Sequence, residues 1–251
     1  MSVEGYSLGG KRALVTGVEG ETGQVAALAL AEAGADVLLT GRTGVESDLL
    51  AAVKGMGRKA WSFPARLDDS RAVEAMVREA IVAAGGIDVL VNAPDRSLSK
   101  PFVETTDAEW SELLRDNLSA LVVPTRAVAR HMLDHGGGAI VNIFSMLAAR
   151  GMPDAAAYCA VKGAALQLTK ALALEWARSG IRVNAIGTGW FSDSATEPDE
   201  EMSSPLLRYL PLRRLGEPQE LGALVVLLSS DALQYMTGQC VFVDGGALAH
   251  A

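Results

Sequence analysis

Short apolar segments alternate with longer, Ala-rich segments along most of the chain. The short segments are apolar at consecutive positions, which is typical of strands buried on both faces of a parallel sheet. The predicted strands are Arg12–Thr16, Asp36–Thr40, Ala60–Pro64, Asp88–Asn92, Ala139–Ser145, Arg182–Ile186 and Gln239–Val243, and the predicted helices are at about 22–33, 45–56, 69–84, 107–134, 154–178 and 217–229. This alternation predicts an α/β fold with one doubly wound parallel sheet and helices on both faces.

No linker divides this pattern, so the chain is predicted to form a single domain over residues 1–251. It contains no Pro- or Ser-rich spacer and no internal repeat. One segment, residues 190–211, has neither the strand nor the helix pattern. Because long irregular segments within a compact domain usually serve a function, this segment is predicted to be a substrate lid.

The composition argues against several classes of protein. A formal net charge of −8 and a pI near 5.0 argue against binding to nucleic acid or to an anionic membrane. Residues 1–11 do not resemble a secretory signal, and no apolar stretch is long enough to cross a bilayer. Cys159, Cys240 and the three histidines lack the spacing of a metal site. These features predict a cytoplasmic protein without a metal.

Four polar residues have the chemistry of a proton-transfer site. Tyr158 and Lys162 are four residues apart in a predicted helix, so their side chains share one face of it. A neighbouring cation favours the phenolate and is expected to lower the pKa of Tyr158 toward a useful range. Ser145 ends a predicted strand and Asn117 lies in the preceding helix. All four side chains are therefore expected to converge on one substrate oxygen.

These residues and their surroundings resemble the short-chain dehydrogenase/reductase family of the single-domain Rossmann type. The resemblance covers nearly the whole chain and includes GGIDVLVN, GAIVNIFS, YCAVK, IRVNAI and the tail PLRRLGEPQELGALVVLLSSDALQYMTGQCVFVDGG. It implies that Tyr158 is the general acid/base and that Ser145 polarises a carbonyl group. It also implies that Lys162 lowers the pKa of Tyr158 and holds the nicotinamide ribose, and that Asn117 positions a relay water. The alternative is that Ser145 only caps a strand and Tyr158 only packs in a helix.

The turn after the first predicted strand departs from the family pattern Thr-Gly-x-x-x-Gly-x-Gly. Thr16, Gly17 and Gly23 match, but Gly20 falls one place early and Glu21 stands at the middle glycine position. That glycine lets the backbone approach a dinucleotide pyrophosphate at a helix N-terminus. Glu21 is therefore expected either to compete with phosphate for the helix dipole, or to point to solvent while Gly20 provides the close approach.

Four further departures concern the same half of the predicted site. Arg66 stands where the third strand usually ends in an acidic residue that contacts adenine. Asn92 is followed by Ala93-Pro94-Asp95 instead of Asn-Ala-Gly, which removes a backbone donor and adds a negative charge. The pair Thr188-Gly189 replaces Pro-Gly, and Asp193 replaces the threonine that follows. The chain is therefore expected to have a rebuilt cofactor site.

Arg42 favours NADP(H) as the cofactor, with NAD(H) as the alternative. An acidic residue at position 41 would bind the adenosine 2′-hydroxyl, but the chain has glycine there, followed by Arg42. The positive charge of Arg42 would complement the 2′-phosphate of NADP, and Arg66 would reinforce this preference if it faces the same pocket. The alternative is that Arg42 is an ordinary surface residue. Glu21 or Asp95 is then expected to pair with an arginine. The predicted cofactor-binding residues are Thr16, Gly17, Gly20, Glu21, Thr22, Gly23, Arg42, Arg66, Leu67, Asn92, Ala93, Lys162 and Gly189.

The residues next to the predicted carbonyl site are mostly apolar, which predicts a hydrophobic ketone or alcohol as the substrate. For Phe144 and Leu147, packing in the core is an equal alternative. The predicted helices 107–134 and 154–178 and the C-terminal segment resemble the surfaces that the family uses to form tetramers, which predicts a homotetramer or a dimer. The predicted substrate-pocket residues are Phe144, Met146, Leu147, Met152, Trp190 and Phe191.

The first hypothesis is an NADP(H)-dependent carbonyl reductase or secondary alcohol dehydrogenase. The second is a non-redox enzyme on the same fold that uses Tyr158 and Ser145 for elimination or isomerisation. The third is a binding protein that has lost its dinucleotide. The altered cofactor half keeps the second and third hypotheses open, because a fold does not determine a function.

Overall fold

The computed structural model describes residues 3–42, 47–192 and 205–249 and contains a seven-stranded parallel sheet. The strand order is β3-β2-β1-β4-β5-β6-β7, so the winding reverses between β1 and β4. This order confirms the predicted doubly wound sheet. The strands are β1 (Arg12–Thr16), β2 (Asp36–Thr40), β3 (Ala60–Ser62), β4 (Val89–Asn92), β5 (Gly138–Ser145), β6 (Ile181–Thr188) and β7 (Cys240–Val243).

Helices connect the strands and cover both faces of the sheet. Within the described part of the chain, no helix is long and apolar enough to cross a membrane. The helices are α1 (Glu21–Glu32), α2 (Ser47–Gly55), α3 (Ser70–Ala84), α4 (Asp107–Leu113), α5 (Ala120–Asp134), α6 (Ala156–Trp176) and α7 (Gly222–Ser229), the last directly preceded by a 3-10 turn over Pro218–Leu221.

The helix predicted at 107–134 is interrupted, which corrects the expectation from the sequence. Leu114–Ser119 forms a π-helical segment between α4 and α5. Within it, the Asn117 side chain donates to the carbonyl oxygen of Leu113 at 3.0 Å, four residues earlier. A side-chain donor at that oxygen competes with the backbone amide that a regular α-helix requires, which accounts for the widened turn.

Both faces of the sheet are apolar because both are covered by helices. Leu14, Leu38 and Leu90 pack in one buried cluster with residues of α3 and α5. Val15 and Val91 point to the opposite side and pack in a second cluster with residues of α1 and α7. The strands therefore have no solvent-facing side, which explains why their sequences are apolar at consecutive positions.

A row of buried polar side chains crosses the sheet at the C-terminal ends of its central strands. The hydroxyl of Thr16 in β1 donates to Asn92 in β4 at 3.2 Å, and the Asn92 amide donates to Asn142 in β5 at 2.9 Å. The same amide donates to Thr125 of α5, and Asn142 donates to Thr169 of α6. These five residues are at most 1% exposed. The row fixes the starting points of the loops after β1, β4 and β5 relative to α6.

Asn142→Leu is expected to destabilise the fold because it keeps the side-chain volume but leaves one Asn92 N–H without its acceptor. An unpaired buried donor costs about 1–3 kcal/mol, and this loss should appear in the free energy of unfolding measured with urea. Gln239→Leu is the control, because Gln239 is exposed. A free energy of unfolding for Asn142→Leu within about 0.5 kcal/mol of that control would contradict the structural role of the row.

Candidate active site

A cleft of about 670 Å³ lies at the C-terminal ends of the strands, where the winding of the sheet reverses. This is the place where doubly wound sheets bind ligands. Its walls come from the loops after β1, β2, β3 and β4, the start of α1 and the π-helical segment. The lining residues are Gly17, Glu19, Gly20, Glu21, Thr22, Arg42, Leu67, Asp68, Ala93, Pro94, Asp95, Arg96, Arg115, Asp116, Ala120 and Ser192.

Two glycines of the turn after β1 are required by the backbone. Gly17 has a φ of +75°, and a Cβ atom there would overlap the carbonyl group of Ala93. A Cβ atom at Gly23 would overlap the carbonyl group of Gly17. Gly20 differs, because its φ is −97° and the nearest atom to an added Cβ is 3.6 Å away. Gly17 and Gly23 therefore shape the turn, whereas Gly20 leaves open space beside the cleft.

Glu21 is the first residue of α1, is half-buried and borders the cleft. Both interpretations of Glu21, competition with phosphate and a solvent-facing side chain, stay predictions. Gly20, the N-cap residue, has no side chain to cap the helix, so the first amides of α1 lack a side-chain partner. An anion in the cleft would be attracted by these amides and repelled by the Glu21 carboxylate.

Gly17→Ala and Gly20→Ala form a matched pair that tests this turn. Gly17→Ala is expected to cost about 2 kcal/mol or more, since it combines a positive φ with a backbone overlap. Gly20→Ala should change the free energy of unfolding by less than about 1 kcal/mol. Thermal or urea unfolding of both variants measures the difference, and equal losses would show that the turn is not constrained as described.

Ser145, Tyr158 and Lys162 do not line the cleft; Tyr158 and Lys162 lie directly behind Asp95, which does. Ser145 ends β5, and its hydroxyl accepts from the Leu147 amide at 3.2 Å. Tyr158 and Lys162 lie in the first two turns of α6 and are 6% and 2% exposed. Nζ of Lys162 is 5.1 Å from the centre of the Tyr158 ring. The three polar groups thus meet near the end of β5.

The carboxylate of Asp95 lies between the phenol and the ammonium. Its Oδ1 accepts from the Tyr158 hydroxyl at 2.8 Å and is 2.7 Å from Nζ of Lys162. Burial raises the pKa of Tyr158 above its usual range, and the charge and hydrogen bond of Asp95 raise it further. The expected lowering by Lys162 is therefore outweighed here. Burial lowers the pKa of Lys162, and Asp95 opposes that change.

Asn117 does not converge with these three residues, which corrects the prediction of four convergent side chains. Its Oδ1 accepts from the backbone amide of Arg96 at 3.1 Å, and its Nδ2 donates to the Arg96 carbonyl oxygen at 3.0 Å. Asn117 is 2% exposed. Its side chain therefore fixes the loop after β4, which carries Asp95, and does not face a substrate oxygen.

The two arginines predicted for the cofactor have different surroundings. Arg42 borders the cleft and donates to Oδ1 of Asp116 at 2.7 Å, and Arg96 donates to the other carboxylate oxygen at 2.8 Å. Arg66 does not line the cleft and instead pairs with Asp68 at 2.9 Å. Neither Glu21 nor Asp95 forms an ion pair with an arginine within the described residues, so the expected pairing is wrong.

Lys162 and several other predicted cofactor residues lie outside the lining of the cleft. Thr16 and Asn92 belong to the buried polar row beneath it. Gly23 packs behind the turn, and Gly189 lies against the backbone of Asp244. Gly17, Gly20, Glu21, Thr22, Arg42, Leu67 and Ala93 do line the cleft.

Sequence reasoning missed one group of cleft residues. Arg115 and Asp116 directly precede Asn117, and the π-helical turn brings them to the cleft. The signal available in the sequence was a run of charged residues next to a predicted site residue. The missed lining residues are Glu19, Asp68, Arg96, Arg115, Asp116, Ala120 and Ser192.

The six residues predicted for a hydrophobic substrate pocket do not line the cleft. Phe144, Met146 and Leu147 are at most 6% exposed and pack in the core. Trp190 and Phe191 border a separate cavity of about 60 Å³. The remaining residue, Met152, packs against the cluster that contains Tyr158. The alternative of core packing therefore holds for Phe144 and Leu147. Asp193 and most of the predicted lid lie outside the described residues.

Comparisons with known proteins agree with this fold. Residues 19–247 match the family model described as enoyl-(acyl carrier protein) reductase. The chain is 37% identical to 2-dehydro-3-deoxy-D-gluconate 5-dehydrogenase of Bacillus subtilis (strain 168), over 98% of each chain. It is 34% identical to a short-chain type dehydrogenase/reductase from Mycobacterium marinum, with a TM-score of 0.89 and 98% of each chain covered.

A further solved structure is a gluconate 5-dehydrogenase from Burkholderia cenocepacia J2315 in complex with NADP and tartrate. It is 31% identical, covers 98% of each chain and has a TM-score of 0.90. The chain therefore belongs to the short-chain dehydrogenase/reductase family of NAD(P)-dependent oxidoreductases.

Proposed function

We propose that the protein is an NADP(H)-dependent oxidoreductase that interconverts a secondary alcohol and a ketone. The observation that carries this proposal is the meeting of Ser145, Tyr158 and Lys162 behind Asp95, a residue that lines the cleft. A hydroxyl, a phenol and an ammonium at one point can polarise a carbonyl group and transfer its proton. The non-redox hypothesis uses the same residues, whereas the binding hypothesis leaves their meeting without a role.

The cleft has the groups that a dinucleotide phosphate requires. The uncapped start of α1 offers amides to the pyrophosphate, next to the open space at Gly20. Arg42 borders the cleft after β2 and offers a guanidinium to a 2′-phosphate, although Asp116 shares it. NADP in the Burkholderia relative supports this choice. When bound, the nicotinamide would supply or accept the hydride.

Side chains of the protein would bind the substrate and transfer the proton. Ser145 would donate a hydrogen bond to the carbonyl oxygen, and Tyr158 would give that oxygen its proton. Lys162 would bind the ribose and, with Asp95, set the charge around the phenol. Asn117 would act indirectly, since its side chain holds the backbone of Arg96 and so places Asp95.

We propose a small polyhydroxylated substrate of the sugar-acid type in place of a hydrophobic ketone. The described lining of the cleft is rich in charged side chains, whereas Met146 and Leu147 are buried in the cluster that contains Tyr158. The relatives from Bacillus and Burkholderia bear names of sugar-acid dehydrogenases. Residues 190–211 as a substrate lid, a single domain over the whole chain, and a homotetramer stay predictions.

Tyr158→Phe tests the function. It should lower turnover of NADP(H) by about 10²–10⁴-fold, because it removes the general acid/base while keeping the ring. Turnover is measured by NADPH absorbance with sugar acids such as gluconate and with apolar ketones, and the sugar acids should react faster. Tyr235→Phe is the control, because Tyr235 is fully exposed and does not line the cleft. Full turnover by Tyr158→Phe would contradict the proposal.

Arg42→Ala tests the choice of cofactor. We expect it to weaken NADPH binding about tenfold and to leave NADH binding nearly unchanged, since it removes one charged hydrogen-bond donor to the 2′-phosphate. Arg66→Ala removes the same charge outside the cleft and should change neither affinity. Fluorescence titration gives both dissociation constants. Equal effects of the two variants would show that Arg42 does not bind the 2′-phosphate. If neither nucleotide binds at millimolar concentration, the oxidoreductase proposal is wrong.

A further inference from the structure

Asp95 connects the two residues that would handle the proton. Its Oδ1 atom accepts the hydrogen bond from the Tyr158 hydroxyl at 2.8 Å and lies 2.7 Å from Nζ of Lys162. The family pattern has glycine at this position, and glycine has no side chain that could make either contact. Asp95 therefore introduces a carboxylate into the centre of the site.

The backbone on both sides of Asp95 is held in place. On one side, both backbone polar groups of Arg96 are hydrogen-bonded to the buried side chain of Asn117. On the other side, Pro94 is buried, and its carbonyl oxygen accepts from Lys162 at 3.4 Å. Pro94 also restricts the backbone through its ring. The contact of Asp95 with the phenol is thus built into the loop and does not depend on a freely moving segment.

The groups that face the Tyr158 hydroxyl favour its protonated form. Burial raises the pKa of Tyr158 above its ordinary value, Asp95 raises it further, and the neighbouring thiol of Cys159 adds to the increase. The hydrogen bond with Ser145 acts in the opposite direction. The positive charge of Lys162, which would favour the phenolate, is balanced by the carboxylate that it contacts.

We propose that Asp95 is a positioning residue that holds Tyr158 as a neutral phenol up to alkaline pH, the form that gives its proton to a carbonyl oxygen in reduction. This inference rests on the proposed oxidoreductase function. In reduction, the carbonyl carbon accepts hydride from the reduced dinucleotide, which becomes oxidised, and the carbonyl oxygen accepts the phenolic proton of Tyr158. Solvent then returns a proton to the phenolate. Oxidation of the alcohol needs the phenolate first, so Asp95 confines that direction to alkaline pH.

The ionisation of Tyr158 can be measured in the protein alone, by the ultraviolet absorbance of phenolate during a pH titration. The same titration of Tyr158→Phe identifies the signal of this tyrosine, since the other three are exposed. Asp95→Asn removes the negative charge that raises the pKa of Tyr158, so Tyr158 should ionise at a pH at least about one unit lower, even if Lys162 loses its proton together with its anion. Asp68→Asn is the matched control, because Asp68 borders the cleft but pairs with Arg66, and it should leave the titration unchanged.

The pH profile of turnover provides the second readout. In Asp95→Asn, the alkaline decline of kcat/KM for reduction and the rise for oxidation should both move to lower pH by the same amount, because both depend on one ionisation. A purely structural role of Asp95 would lower both rates at every pH without moving either limb.

Asp95→Gly, which restores the family residue, serves as the second variant if Asp95→Asn does not fold. An unchanged Tyr158 titration in the folded variant would overturn the inference, as would pH profiles that stay in place. The titration needs neither cofactor nor substrate. If the Tyr158 titration shifts but the protein turns over no dinucleotide, the proposed function and the proton-donor role are both overturned. Only the effect of Asp95 on the ionisation of Tyr158 then remains.

Discussion

The hydrogen-bonded row from Thr16 through Asn92 and Asn142 to Thr169 is the constraint on which the site depends. A parallel sheet covered on both faces leaves no water for polar side chains within it, so each of these groups must find its partner inside the protein. All of these hydrogen bonds can form only when β1, β4 and β5 keep their register and α6 keeps its position against β5. That register determines where the turn after β1, the loop after β4 and the start of α6 meet.

The loop after β4 shows how a single change of residue can alter the chemistry of such a framework. Lys162 is almost completely buried, and a buried ammonium is stable only beside an anion or several acceptors. Asp95 supplies that anion from within the protein. The same carboxylate opposes the formation of a second negative charge on Tyr158. Asp95 therefore has two effects: it stabilises the charged form of Lys162 and opposes the ionisation of Tyr158.

The fold could be predicted from the sequence because its signals are local and repeated. Each strand is apolar at consecutive positions, and the i, i+4 spacing of Tyr158 and Lys162 fixes their common helix face. The roles of Asn92, Asn117 and Arg66 could not be predicted in this way. Their neighbours, Asn142, Arg96 and Asp68, are set by strand register, by a π-helical turn and by a local ion pair. A motif gives the position of a polar residue but not the direction of its side chain.

The proposed function requires that the cleft beside α1 presents a dinucleotide to Ser145, Tyr158 and Lys162. Diffraction from crystals grown with NADP⁺ tests it most directly. We expect electron density for the pyrophosphate at the N-terminus of α1, for the 2′-phosphate at Arg42 and for the nicotinamide next to Tyr158. Density for the nucleotide elsewhere on the protein, with the nicotinamide out of contact with Tyr158, would contradict it.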